Sequence, residues 1–546
     1  MNDPVIVTAP RRPPEEGPWA PLRDTQFRAL WLAFLGSQLV VWMNTVGAAT
    51  VIGTQGGSST LVALVQTATS LPAVLLALLA GAVTDIVDRR RLLLATQSWM
   101  LASTATAAVL TLADAATPAS ILLLTFSLGA GMAASVPAFQ SLTPELAGPG
   151  RLAAGVALNS VAINLARAVG PALAGVVIAA VSAGALFTVE AAGVAVIIAI
   201  MLSLRKPAAA GAGQAPEQVL DAMRAGARFV RFSPTVRAVL ARALLFVTGA
   251  SAFWALLPVV AFGPLDLGSS GLGVLVGCAG VGAITGATVL PRLRRRLGLD
   301  RTVVMGSAGL AVALAALALV HEPVLAGVAT FAGGAAWLSV LSTLNTAAQM
   351  AAPNWVRGRA LAAFQVSMQG GLAAGALLWG LVTDGASLEA ALLAAGAVLL
   401  VSIAARGRAS LAGVEGQDMT PARAWTEPEL AVEPAPGDGP VLVTLEYRVR
   451  PEDVEQFVAA MDELGRIRRR DGAGEWSLYQ DLEDRECWLE TFLVDSWSEH
   501  LRQHERMTVA DVAVERRAKG FHTGPGEPPT RHLLAAEAAL AEKRRP

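Results

Sequence analysis

Apolar positions in this chain come in long blocks. Residues 29–88, 92–150, 243–291 and 360–405 contain no Lys or Arg. A membrane-crossing helix needs about 20 mostly apolar residues, so each block holds two helices joined by a short turn. The pattern predicts helices over 27–50, 60–83, 92–113, 118–141, 152–180, 184–204, 236–261, 270–291, 302–321, 323–348, 360–383 and 388–405. This is an all-α polytopic membrane protein with twelve spans, followed by something different.

The different part begins near residue 408. Residues 408–439 are rich in Pro, Glu and Gly and read as a linker. Val441, Val443, Leu445, Tyr447 and Val449 then alternate with polar residues, the period of a half-buried strand. Pro451 opens a helix with Val454, Phe457, Val458, Met461 and Leu464 along one stripe. Trp476–Gln480 and Trp488–Val494 form a hairpin, a helix covers about 496–519, and a short strand covers 531–535. The order β-α-β-β-α-β over residues 440–546 predicts a soluble α+β domain of ferredoxin-like type.

Charge gives the orientation. Arg89–Arg91 fall between helices 2 and 3, and Arg151 opens helix 5. Arg205, Lys206, Arg224, Arg228 and Arg231 follow helix 6, and Arg292, Arg294, Arg295, Arg296 and Arg301 follow helix 8. Arg357 and Arg359 precede helix 11, and Arg406 follows helix 12. The alternate loops carry only Asp114, Asp266, His321, Glu322, Asp384 and Glu389. Positive residues accumulate on the cytoplasmic side, so both termini are expected in the cytoplasm and the bundle in the inner (plasma) membrane. Charged residues make up 16% of the chain, against roughly a quarter in soluble proteins. An apolar soluble bundle would not sort its charges by loop parity. A net charge of −1 gives no reason to expect a nucleic-acid partner. Cys278 and Cys487 lie in different environments and are read as free thiols. Residues 1–26, Pro-rich and charged, resemble neither a signal peptide nor a helix and are expected to be a disordered cytoplasmic lead.

Residues 205–235 form an expected central loop that divides the helices six and six, into 27–204 and 236–407. The halves repeat weakly. Asn164, Gly170, Pro171 and Gly175 are matched in spacing by Gln369, Gly375, Ala376 and Gly380, and Gln140 and Pro144 by Gln349 and Pro353. This is the mark of parallel internal repeats.

Candidate pathway residues are the polar groups inside apolar helices. Arg167 falls near mid-membrane, where an arginine is costly and normally faces the bundle interior. Ser160, Asn164, Arg167 and Pro171 share a face of helix 5. That stripe suits an anionic or catecholate-like solute, and a structural arginine bonded to neighbouring helices is the alternative. Ser37 and Asn44, Gln66 and Ser70, and Gln365 and Gln369 share faces of helices 1, 2 and 11, as pathway contacts or interhelical hydrogen bonds. Glu190 is the clearest intramembrane acid for proton coupling. His500 and His504 have the i, i+4 spacing of metal ligands, but no third ligand stands at motif spacing, so they are expected at a surface or interface. No metal or cofactor is expected. No P-loop, dinucleotide fingerprint or nucleophile elbow occurs, so no ATP-driven pump and no enzyme is expected.

Two stretches carry a resemblance. GAVTDIVDRR, with Gly81, Asp85, Asp88, Arg89 and Arg90, resembles the major-facilitator loop signature, although Ile86 stands where a basic residue is usual. ALNSVAINLARAVGPALAG, from Ala157 to Gly175, looks like the transmembrane secretion effector branch of that superfamily, which includes exporters similar to the enterobactin exporter. Gly170, Pro171 and Gly175 resemble the core of the helix-5 antiporter motif without its outlying glycines. The tail segments DGAGEWSLYQDLED and SWSEHLRQHERMT resemble cytoplasmic extensions related in fold to antibiotic-biosynthesis monooxygenases. The resemblance implies a 6+6 major-facilitator bundle in the lipid bilayer. Its expected activity is proton-coupled efflux of a small molecule such as a siderophore, an antibiotic or another secondary metabolite, with drug resistance as one outcome. Asp85, Asp88, Arg89 and Arg90 would latch the cytoplasmic gate. The tail would be a regulatory ligand-binding or homodimerising domain, or alternatively a cofactor-independent oxygenase.

Overall fold

The computed structural model describes residues 19–86, 88–148, 151–203, 219–353, 355–404, 407, 410–420, 422, 430 and 434–536. Much of the expected lead lies outside them. Ala20–Arg23 form a 3-10 turn, and Asp24 starts the first long helix by accepting from the amides of Gln26 and Phe27.

The first half consists of α1 (Thr25–Thr54), α2 (Ser59–Ile86), α3 (Arg89–Leu112), α4 (Pro118–Ala147), α5 (Leu152–Ala180) and α6 (Ala183–Ser203). Local chemistry sets several boundaries. Asp88 caps α3 through the Arg91 amide, and Thr117 and Ser120 form a capping box ahead of α4, with Pro118 at its first position. Asp114 turns the chain between α3 and α4 in the left-handed region, at φ 52°, which aspartate tolerates better than most residues.

The second half consists of α8 (Pro234–Phe262), α9 (Gly268–Leu319), α10 (Pro323–Met350), α11 (Arg357–Gly385) and α12 (Leu388–Ala404). Among the described residues ten helices are long and apolar enough to cross a membrane, and α12 is a shorter apolar helix. The expected separate helices over 270–291 and 302–321 are the two arms of α9, which the non-helical backbone of Gly298 (φ 75°, ψ 175°) divides. The arginines between them, read as a loop from their charge, are helical because Arg and Leu are good helix formers. The expected central loop also contains a helix, α7 (Val219–Phe232).

The two halves meet through small residues. A Cβ on Gly175 of α5 would lie 2.8 Å from the Gly273 Cα of α9, and one on Gly380 of α11 would lie 2.9 Å from the Thr60 Cα of α2. The repeat glycines therefore make equivalent crossings, each bringing a helix of one half against the other half. Asp384, at the end of α11, accepts hydrogen bonds from the amides of Ser59 and Thr60 at the start of α2. Among the described residues these crossings lie toward the end of the bundle marked by Asp114, Asp266 and Asp384.

The tail sits at the opposite, arginine-rich end. It contains β1 (Val441–Arg448), α14 (Val454–Asp471), β2 (Trp476–Gln480), β3 (Cys487–Val494), α15 (Trp497–Arg506), α16 (Val509–Lys519) and β4 (Thr530–Leu534). The sheet order is β2-β3-β1-β4, with every pair antiparallel. Val441, Val443, Leu445 and Tyr447 are buried with Phe457, Met461 and Leu464 of α14. The expected single helix over 496–519 is broken at Thr508, where Thr508 and Asp511 form a capping box and begin α16.

The expected linker is partly anchored. A short helix, α13 (Ala412–Glu415), is flanked by Leu411, and Leu411 and Val414 are buried in the core of the second half. Arg228 of α7 pairs with Glu499 of α15 at 3.0 Å. The Arg470 guanidinium lies over Phe229 of α7 at 5.5 Å, and Arg506 lies over Trp355 at 4.8 Å.

Candidate solute pathway

Between the halves lies a cavity of about 40 Å³, lined by residues including Trp42, Thr45, Gln66, Pro171, Trp254 and Pro258. Rings run away from it in sequence. Trp42 of α1 is 5.8 Å from Trp254 of α8, and Trp254 is 5.9 Å from Trp337 of α10. Arg167, midway along α5, lies over the other end of this line, with its guanidinium carbon 5.1 Å from the Trp42 ring centre. Arg167 Nε, Trp254 Nε1 and Trp337 Nε1 are all buried, and none has a hydrogen-bond partner among the described residues. Leaving a buried donor unmatched costs roughly 1–3 kcal/mol. Three such donors along one row of rings make a surface that favours hydrogen-bond acceptors.

The structure brings some predicted residues to this site and separates others. Pro171 and Gln66 line the cavity. Gln66 also donates to Ser70 at 2.9 Å. Gly170 packs α5 on α1, since a Cβ there would lie 2.9 Å from the Trp42 Cβ. The side chains of Ser160 and Asn164 lie outside the described residues. Gln365 is exposed and Gln369 half-buried, and neither lines the cavity. Asn44 belongs to a separate network. It donates to Glu190 Oε2 at 3.1 Å and accepts from the Thr125 hydroxyl at 3.1 Å. Glu190 is fully buried, and its Oε1 has no partner among the described residues.

The loop between α2 and α3 works within one half. Arg89 pairs with Glu145 of α4, and Arg90 donates to the Met201 carbonyl at the end of α6 at 3.1 Å. Asp88 caps its own helix. These contacts tie α3 to α4 and α6. The side chains of Gly81 and Asp85 lie outside the described residues.

Sequence reasoning missed the tryptophans. Their signal was available, since Trp42, Trp254 and Trp337 stand deep in apolar blocks whereas Trp in membrane helices favours the interfaces. It also missed Arg294, which fans onto Ser342, Thr343 and Thr346 of α10 at 2.8–3.1 Å. The expectation that His500 and His504 lie at a surface or interface is corrected. His500 is 1% exposed and His504 is half-buried, because α15 turns this edge onto the sheet.

Two similar helical halves that meet around buried polar groups define a multi-pass membrane transporter of the major-facilitator type. The chain belongs to the transmembrane secretion effector family, whose sequence profile matches residues 16–540. The staphyloferrin A transporter of Staphylococcus aureus (strain NCTC 8325 / PS 47) is 27% identical over 291 residues, which are 53% of this chain and 71% of that protein. The nucleoside transporter NupG superposes with a TM-score of 0.59 at 14% identity, covering 70% of this chain and 99% of that one. A bacterial homolog of the human lysosomal transporter Spinster, inward-facing and unoccupied, superposes with a TM-score of 0.56 at 14% identity over 71% and 96% of the two chains. Identity this low bears on the fold alone.

Proposed function

We propose that this protein exports a small, oxygen-rich, anionic molecule of the siderophore type by proton-coupled, secondary active transport. The observation that carries this reading is the row of unmatched buried donors, Arg167 Nε, Trp254 Nε1 and Trp337 Nε1, beside the cavity between the halves. Carboxylate or catecholate oxygens would satisfy those donors, and a cation above a ring face adds to the attraction. The relative named for staphyloferrin A supports the siderophore class.

Taking the two arms of α9 separately and adding α12 gives twelve spans in a 6+6 arrangement. Positive charge then puts the arginine-rich end, the tail and both termini on the cytoplasmic side. In that orientation the crossings at Gly175 and Gly380 close the outer side. Glu190, buried beside Asn44, is the acid we assign to proton coupling. The strand order of the tail supports a ferredoxin-like domain, with a regulatory role.

The test compares secreted metabolites with and without the protein, then moves the differing compound in proteoliposomes under a pH gradient. Unchanged secretion of every anionic chelator would overturn the reading. Orientation is tested by reporter fusions. Those after Arg205, Arg296 and Arg406 should report cytoplasm, those near Asp114, Asp266 and Asp384 the outside, and one reproducible inversion defeats the assignment.

A further inference from the structure

The arginines at the end of the first arm of α9 fall into two sets. Arg294 turns inward onto Ser342, Thr343 and Thr346 of α10, which fixes the rotation of the arm. Arg292, Arg295 and Arg296 are exposed on the other side, and Arg301 is exposed just past the break at Gly298. None of these four has an ion pair or a side-chain hydrogen bond among the described residues. Other arginines at this end of the bundle are matched within the protein, Arg242 by Asp300 at 2.7 Å and Arg89 by Glu145. Arg292 precedes Arg295 and Arg296 at i+3 and i+4, the spacing at which like charges on a helix repel. The row therefore presents positive charge that no described carboxylate offsets.

The row ends an apolar face. Val281, Ile284, Thr285, Thr288 and Val289 are exposed, and their spacing puts them on the side of the arm that Arg292, Arg295 and Arg296 continue. The Thr285 and Thr288 hydroxyls donate to carbonyls of their own helix, Val281 at 2.9 Å and Thr285 at 2.8 Å. This face therefore asks for no polar partner until the arginines begin. At 1.5 Å per residue Arg292 lies about 36 Å along the arm from Gly268. That is just beyond a hydrocarbon layer of about 30 Å, at the depth of lipid headgroups. The second arm repeats the arrangement, with Arg301, Met305 and Val312 exposed along one side. A soluble polyanion would meet the charges and leave the apolar faces unused. We propose that Arg292, Arg295, Arg296 and Arg301 form a docking surface for an anionic phospholipid of the leaflet at this end of the bundle. Its phosphate takes the guanidinium forks, and its acyl chains lie along the exposed face over residues 281–289.

The full-length protein in mild detergent is titrated with phosphatidylglycerol, and bound lipid is read by native mass spectrometry. Phosphatidylglycerol should bind at least about tenfold more tightly than phosphatidylcholine, whose headgroup carries its own cation. Arg292→Gln, Arg295→Gln and Arg296→Gln combined should remove at least about tenfold of that affinity, at roughly fivefold for each arginine near a lipid surface. A second triple variant removes three exposed arginines from the same end of the bundle, Arg23→Gln, Arg91→Gln and Arg237→Gln, and should cost less than about threefold. Equal losses in the two triple variants would reduce the effect to general positive charge and overturn the site. Should the first triple variant insert poorly, Arg292→Gln and Arg296→Gln are read singly. Each should cost about threefold or more, and no loss in either overturns the site. Glycerophosphoglycerol, the same headgroup without acyl chains, should fail to displace the lipid at equal concentration. Displacement would mark a site for soluble phosphates and overturn the lipid. The readout involves no transported solute, so its failure leaves the export reading standing.

Discussion

Asp384 holds the backbone amide of Thr60 at 3.0 Å, so the last turn of α11 caps the first turn of α2 across the boundary between the halves. A carboxylate at a helix N-terminus satisfies orphan amides and opposes the helix dipole. The resemblance implied a latch at Asp85, whose side chain lies outside the described residues; the Asp384 cap lies at the opposite end of the bundle. Asp384→Ala should remove about 1 kcal/mol of closure and move the equilibrium toward opening at this end. Cysteine labelling at Ser59 in the Asp384→Ala background should speed up, and an unchanged rate would show that the cap does not hold the halves together.

Arg167 separates two roles when its variants are compared. If it binds solute oxygens, Arg167→Lys keeps part of the efflux because charge remains, but lysine lacks the planar fork. Arg167→Ala should lose at least about tenfold, equivalent to one charged hydrogen bond, at near-normal protein level. Efflux per folded protein is the measurement. Full specific efflux in Arg167→Ala would remove the binding role, and poor folding of both variants would favour a structural one.

Glu190→Gln preserves the shape of the hydrogen bond to Asn44 while removing the titratable group. The expected outcome is loss of pH-gradient-driven transport with solute exchange retained. Equal driven transport in variant and parent would place coupling elsewhere.

The tail should weaken in acid. Burial, reinforced by His532 and Arg468, pushes His500 down to about 4 in the folded protein, and about 6.5 is expected when unfolded. The unfolded state therefore binds more protons between those values, and the stability present above about pH 6.5 is lost as pH falls toward 4. Across that window His500 contributes on the order of 3 kcal/mol. For Glu499, burial alone would raise the carboxyl, but Arg506 and Arg502 hold it below its usual range, which adds to the acid loss. Asp471, raised to about 6 by burial despite Arg470, acts the other way, because its contribution fades as pH rises from about 4 to 6. Hydrogen exchange at β1 amides should accelerate from pH 7 to pH 5 after correction for intrinsic rates, and His500→Leu should flatten the dependence.

Arg228 and Glu499 fasten the tail to α7 at 3.0 Å with partial exposure, so the pair is worth no more than about 1 kcal/mol. Arg228→Glu should raise the exchange of α7 amides several-fold, and Arg228→Lys, which keeps the charge, should retain part of the protection. No difference among the three proteins would mean that the aromatic contacts of Arg470 and Arg506 suffice alone.

Much of this architecture was legible because it rests on one-dimensional quantities. The length of an apolar run sets a span, the parity of arginines sorts the loops to two ends of the bundle, and alternation at Val441, Val443 and Leu445 sets a strand face. The equivalence of Gly175 and Gly380 was legible too, since equal spacing in two halves implies equal crossings. The extension of the first arm of α9 through Arg292, Arg294, Arg295 and Arg296 was not, because charge marks where a chain leaves the membrane and not whether its backbone hydrogen bonds stop there. Nor was the break between α15 and α16, which depends on Thr508 and Asp511 finding each other's amides.

The sequence by itself determined the class of protein, the two-half division, the strand pattern of the tail and the cost of placing Arg167 inside an apolar helix. Each follows from local composition or from a cost that any apolar surrounding imposes. Only the tertiary structure decided that Arg167 meets Trp42 and that Trp254 and Trp337 continue the row. The same holds for Glu190 joining Asn44, for Arg89 and Arg90 bracing their own half, and for His500 meeting His504 and His532. Those outcomes depend on distances between residues far apart in the chain, and hydrophobic packing, which sets those distances, is non-directional. Periodicity therefore says which face of a helix is buried, and only the packed bundle says what that face touches.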